Sequence, residues 1–203
     1  MKTPSSSSTN QSVQQAQRTA AAQRLADNKK ATTDYVAKVY PNEKKWISNN
    51  TAFQKANEFT KDLTLPPNVS VAKSRIPQNK NDHDILKKEL YQAKILSSLG
   101  NVIFFTPEPG SYRHRVTDAV VNGVPYEFRT ITGTSRRVEK EFGDAKRKGN
   151  SINVFMNIDS KINRDEVRRR IVQVLERHPD YTGKIIVSMN GGRPHFWDTS
   201  SFR

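Results

Sequence analysis

Residues 115–130 read RVTDAVVNGVPYEFRT, with Asn122-Gly123 at the centre of two β-branched and aromatic runs. Asn-Gly between such runs is the strongest short-range signal for a two-residue type I′ hairpin turn. A two-residue loop sets Val121 opposite Val124, Val120 opposite Pro125, Ala119 opposite Tyr126, and Asp118 opposite Glu127. Side chains alternate along a strand, so Val116, Asp118, Val120, Glu127 and Arg129 share one face, and Thr117, Ala119, Val121, Val124, Tyr126 and Phe128 share the other. The second set reads as the core face and the first as a non-core face. Like charges directly opposite each other cost up to ~1 kcal/mol unless a cation lies between them. A divalent ion meets that need, which makes Asp-x8-Glu-x-Arg a candidate metal site; a solvated face neutralised by Arg129 meets it equally.

Working outward, a helix is expected from about Asp82 to Leu99, stopped by Gly100. Asn101 to Thr106 is a short apolar strand, and a turn-rich PEPGS leads into the hairpin. A basic helix (SRRVEKEFGDAKRKGN), a strand (SINVFMNI), a helix capped by Asn163, the strand GKIIVSM, the Gly191-Gly192 turn and a last strand, RPHFW, follow. This order predicts an α/β fold with a mixed central sheet flanked by helices over residues 81–203. All nine glycines lie at Gly100 or later, and residues 1–80 are expected to form a helical or partly disordered extension. Residues 1–12 are too polar to order themselves, a second helical stretch is expected near Glu43 to Asp62, and the three prolines between Leu65 and Asp82 predict an extended linker.

Thirty-four Lys and Arg against 20 Asp and Glu give a net charge of +14, which makes nucleic acid the default partner. No single tail explains the charge, since residues 1–80 carry 13 basic and 5 acidic side chains and residues 81–203 carry 21 and 15. The absence of cysteine excludes disulfide stapling, Cys-based zinc fingers and thiol catalysis. The first residues lack a signal-peptide apolar region, and no run approaches the ~18 apolar residues of a membrane span; no membrane association is expected, and export would need a dedicated apparatus.

Glu89 falls inside the apolar arc of the helix expected over 82–99, formed by Ile85, Leu86, Leu90, Ala93, Leu96 and Leu99. A carboxylate there needs a partner or a cation. Helix, short strand and acidic hairpin, in the wording ELYQAKILSSLG, then TDAVVNGVPYEFRT, then a Lys-rich helix, resembles the PD-(D/E)xK, restriction-endonuclease-like nuclease superfamily. Within it the chain resembles the C-terminal tRNA nuclease toxin domains of contact-dependent inhibition and related polymorphic toxin systems. The resemblance covers His83 to about Ile158 closely. It implies a metal-dependent endonuclease acting on RNA, in particular tRNA, with DNA as the alternative substrate. Asp118 and Glu127 would hold Mg²⁺ or Mn²⁺, Glu89 would support it, and Arg129 would stabilise charge on the phosphate. Arg129 stands where the family usually has lysine, and arginine remains protonated, so it serves only the electrostatic part. The resemblance further implies a cytoplasmic site of action and an acidic immunity partner.

Arg113, His114 and Arg115 before the acidic strand, and Arg136, Arg137, Lys140, Lys146 and Lys148 after the hairpin, are the expected nucleic-acid contacts. His114 is also the candidate acid or base for a metal-free ribonuclease. Tyr112, Tyr126 and Trp197 are candidates for base stacking, although Tyr126 falls on the core face. A non-catalytic nucleic-acid-binding or packaging protein is the rival from a different class.

Overall fold

The computed structural model describes residues 6–43, 45–107, 116–149 and 151–197. Its elements are α1 (Ser6–Val39), β1 (Trp46–Ile47), α2 (Asn50–Gln54), β2 (Val69–Ala72), α3 (Lys80–Ser97), β3 (Ile103–Phe105), β4 (Ala119–Val121), β5 (Val124–Ile131), α4 (Ser135–Lys146), β6 (Asn153–Ile158), α5 (Arg164–Arg177), β7 (Ile185–Met189) and β8 (His195–Trp197). The eight strands form one mixed sheet in sequence order. The pairs β2–β3, β5–β6 and β6–β7 are parallel and the rest antiparallel. From α3 onward the order of elements is the expected one.

The hairpin register also agrees with the sequence, with Val121↔Val124, Val120↔Pro125 and Ala119↔Tyr126 paired. Asn122 and Gly123 have φ of 51° and 81°, the left-handed pair that a type I′ turn requires. Gly100 ends α3 with φ 81°. Asn163 caps α5 by accepting the Glu166 N–H. Asn79 does the same for α3 through Asp82, so that helix begins at Lys80.

Both faces of the sheet are buried. On one, α3 packs Leu86, Leu90, Ala93 and Leu96 against Ala119, Val121, Tyr126, Phe128, Phe155 and Ile186. On the other, Val36 of α1 and Tyr40, just past its end, pack against Phe104, Val116 and Val120, while α4 and α5 cover Ile131, Val154, Met156, Ile158, Ile185 and Val187. The two parallel connections, β5 to β6 and β6 to β7, place α4 and α5 on the same side. The face expected to be non-core is therefore a core face interrupted by charge, and Glu127, expected to point away from the core, has no exposed surface.

The region expected as an extension is built into the same body. The segment read as a linker carries β2, which pairs with β3, and Phe53, Leu63, Leu65, Val69, Val71 and Ile76 share a core with α3. A boundary at residue 80 cuts through this sheet and core. In place of the second helical stretch stand β1, the short α2 and a 3₁₀ turn at Glu58–Thr60, the last two begun by the N-caps Asn49 and Asn57. Ser6 to Ser12 belong to α1, because prolonging an existing helix costs far less than nucleating one.

Candidate active site

Beyond the last ladder pair of the hairpin, β4 separates from β5. Thr106 N–H still donates to the Asp118 carbonyl at 3.2 Å, but the Phe128 N–H bonds to the Asp118 side chain, Oδ2, at 2.9 Å. The Asp118 carboxylate thereby replaces a ladder carbonyl and is held rigidly beside Glu127. Both acids lie on the face between the α1 cluster and the α4–α5 cluster, as the register predicts.

Two cations of the chain fill the space between them. The Arg129 guanidinium bridges the pair, with Nη1 at 3.0 Å from Asp118 Oδ2 and Nη2 at 2.6 Å from Glu127 Oε2. Nη1 also donates to the Phe128 carbonyl at 2.9 Å. Lys148, two residues past α4, returns over the hairpin mouth and sets Nζ 2.7 Å from Glu127 Oε1 and 3.8 Å from Asp118 Oδ1. It was expected to be a nucleic-acid contact; the structure makes it a member of the carboxylate cluster. Glu141 of α4 approaches Arg129 Nε at 3.8 Å. That Nε is buried and has no hydrogen-bond acceptor among the described residues.

Burial pushes the Glu127 carboxyl up to about 7, and the neighbouring Asp118 charge adds to the rise; Arg129 and Lys148 only partly offset them. Burial by itself would lower the Arg129 pKa, but Asp118, Glu127 and Glu141 hold it above its ordinary value. Near neutrality the site therefore carries a fixed guanidinium and a carboxyl that readily takes up a proton.

Glu89 does not join the cluster. It sits on α3, across the sheet from the two acids, and Arg75 Nη2 binds both of its oxygens at 2.7 and 2.9 Å. A carboxylate in the apolar arc needs a partner or a cation, and the chain supplies Arg75. From the same helix Gln92 Nε2 donates to the Arg129 and Phe155 carbonyls at 2.9 and 3.2 Å, tying the backbone of the site to α3.

The hard oxygen donors of Asp118 and Glu127 suit Mg²⁺ or Mn²⁺ rather than zinc. Among the described residues no three acidic or histidine side chains converge into a metal-holding group, so this part of the chain offers such an ion two carboxylates.

The remaining expected residues are dispersed. Arg136 and Lys140 are exposed on α4, and Arg137 pairs with Glu141 at 3.2 Å. Lys146 is turned toward Asp180 and His178 at 3.5 and 3.3 Å. Arg113, His114, Arg115 and Tyr112 lie outside the described residues. Tyr126 is core, with burial pushing its phenol up to about 12, and Trp197 packs against the α4–α5 core. His83 is engaged by Asp62 and Asp84. No described helix is long and apolar enough to cross a membrane. No family model matches the chain, and no curated protein or solved structure matches it either.

Proposed function

We propose that the chain is a nuclease that hydrolyses phosphodiester bonds with the help of a divalent ion at Asp118 and Glu127. The supporting observation is the Asp118–Glu127–Arg129–Lys148 cluster: two carboxylates and a guanidinium fixed on a rigid hairpin, with an ammonium brought in from past the end of α4. A phosphate oxygen is the anion that the cations Arg129 and Lys148 and the net charge of +14 favour. RNA, tRNA in particular, and a role as a toxin or effector follow from the family resemblance alone.

A bound Mg²⁺ would lower the pKa of its water and neutralise phosphate charge. The residues of the chain do the rest. Asp118 is held by the Phe128 N–H, so its carboxylate is already oriented for a cation. Glu127 binds a cation once its proton is gone. Arg129 is a permanent cation, and Lys148 is a compact ammonium beside the same carboxylates, in the role the family usually gives to the lysine that Arg129 replaces. Both stabilise negative charge as it develops on the phosphate. Complete ion pairing of the two acids favours a second reading, a closed structural cluster in a protein that binds nucleic acid without cutting it.

The experiment is incubation of purified full-length protein with tRNA and with duplex DNA, in Mg²⁺ and in EDTA. Expected are Mg²⁺-dependent cleavage, loss of ~100-fold or more in Asp118→Asn and in Lys148→Met, and retention of activity in Arg129→Lys. Cleavage in EDTA would overturn the role of the ion. Binding without cleavage under either condition would establish the second reading.

A further inference from the structure

The helices α4 and α5 run side by side and are tied through Glu139, which Arg170 approaches at 3.8 Å and Arg177 also contacts. Between them lies an open groove of about 490 Å³, whose charged lining includes Arg136, Lys140, Arg147, Arg170 and Arg177 against Glu139 and Asp144. Five formal positive charges face two negative ones. Arg170 and Arg177 are engaged with Glu139, and Arg147 pairs with Asp144 at 2.5 Å. The side chains of Arg136 and Lys140 are exposed and make no ion pair or hydrogen bond with a described residue. Arg136, Lys140 and Arg147 follow i, i+4, i+11 spacing and so form one stripe, about 16 Å long at ~1.5 Å rise per residue.

This stripe adjoins the active cluster. On α4, Arg137 and Glu141 each stand one residue on from Arg136 and Lys140, turned toward Arg129, and Lys148 follows Arg147 in the same sense. A chain of phosphates that reaches Lys148 and Arg129 can therefore continue across α4 into the groove. A cationic helix face is usually just solvated. Here the cations line a concave track between two helices, in excess over the acids, and continuous with the site.

We infer that the α4–α5 groove is a binding track for the phosphate backbone of the nucleic-acid substrate, separate from the residues that act on the cut bond. It rests on the proposed action on nucleic acid, and it moves the contact surface away from Lys146 and Lys148 toward Arg136, Lys140 and Arg147, with Arg170 and Arg177 forming the far wall. Lys146 is turned to Asp180 and Lys148 to Glu127, so neither belongs to the track itself.

The test is binding of the full-length protein to a fluorescein-labelled single-stranded 20-nucleotide RNA in EDTA, by anisotropy over a range of KCl concentrations. The groove variant is Arg136→Gln/Lys140→Gln/Arg147→Gln, which leaves the Glu139 ties intact. The control, Lys61→Gln/Lys161→Gln/Lys184→Gln, removes the same charge from exposed positions elsewhere. At ~0.7 per single-strand phosphate contact, losing three contacts makes the slope of log K against log salt shallower by about 2, with roughly ten- to a hundredfold weaker binding at 0.1 M KCl. The control is expected to retain the parent slope, and the groove variant is expected to keep parental turnover on bis-p-nitrophenyl phosphate, which is too small to reach the groove. An unchanged slope in the groove variant, or an equal loss in the control, would overturn the track while leaving the nuclease reading in place. A parent protein that neither binds nor cuts RNA would remove that reading as well.

Discussion

Replacing Glu127 by Gln should stabilise the protein at neutral and alkaline pH, and the size of the effect follows from the burial of this side chain. The folded protein holds the Glu127 carboxyl at about 7 against an ordinary value of 4.5. Between those two values the native state binds more protons than the unfolded chain, so rising pH favours unfolding. The penalty is absent below about 4.5, grows through the interval and is complete above about 7. At roughly 1.4 kcal/mol for each tenfold change in proton affinity, it amounts to about 3 kcal/mol. Glutamine has nearly the same shape and never ionises, so Glu127→Gln escapes the penalty. The assay is urea unfolding of both proteins from pH 4.5 to 8, followed by tryptophan fluorescence. Taking the difference between the two proteins cancels carboxylates with the opposite linkage, such as Asp62, held down by the hydrogen bond from His83, and Glu166, held down by Ser135. The difference should grow by about 3 kcal/mol in favour of glutamine across this range. A constant difference, or one favouring glutamate as pH rises, would refute the argument that burial and Asp118 dominate Arg129 and Lys148 at this position. Cleavage by the parent protein should rise through about pH 7, as Glu127 gives up the proton that competes with a cation.

Arg75→Ala leaves Glu89 buried without its main cation, and a loss of about 3–5 kcal/mol in unfolding free energy is expected by chemical denaturation. Removing residues 1–24, whose described side chains from Asn10 onward are exposed, should leave the melting temperature within a few degrees. A fragment starting at residue 78, in contrast, should fail to give a cooperative transition, because it lacks β1, β2 and the buried Phe53, Leu63, Leu65, Val69, Val71 and Ile76. Gly123→Ala should cost about 1–2 kcal/mol or more by the same denaturation measurement, since φ is 81° and the new Cβ would stand 2.9 Å from the Ala31 carbonyl oxygen of α1.

What was legible in the sequence is what depends on local chemistry. The Asn-Gly turn determined a register that brings Asp118 and Glu127 together, and apolar periodicity was enough to order the elements from α3 to β8. Strands as short as β1 and β2 leave no period to read, and the prolines beside β2 argued for a linker. Parallel pairing with β3 overrides both signals, because Val69 and Val71 are completed only by residues some thirty positions away. The burial of the charged hairpin face is hidden in the sequence for a related reason. Alternation showed which side chains share a face, but it could not show that α1, α4 and α5 would close over the charged one.

Lys148 was hidden by the same distance, since 21 residues separate it from Glu127 and its position past α4 reads as one more cation in a basic run. Two acids set opposite each other require positive charge, and the chain supplies it twice, from the strand through Arg129 and from the helix terminus through Lys148. An incoming dication must therefore compete with both. Arg129 is anchored at three oxygens, Asp118 Oδ2, Glu127 Oε2 and the Phe128 carbonyl. Lys148 donates to Glu127 Oε1 and the Val116 carbonyl at 2.7 and 3.2 Å but stands 3.8 Å from Asp118, and it keeps 27% of its side chain exposed, against 19% for Arg129, so it is the cation that yields more readily. Lys148→Met should accordingly tighten Mg²⁺ binding, read by isothermal titration calorimetry, while it lowers cleavage; weaker Mg²⁺ binding in that variant would show that Lys148 organises the carboxylates rather than competing for them.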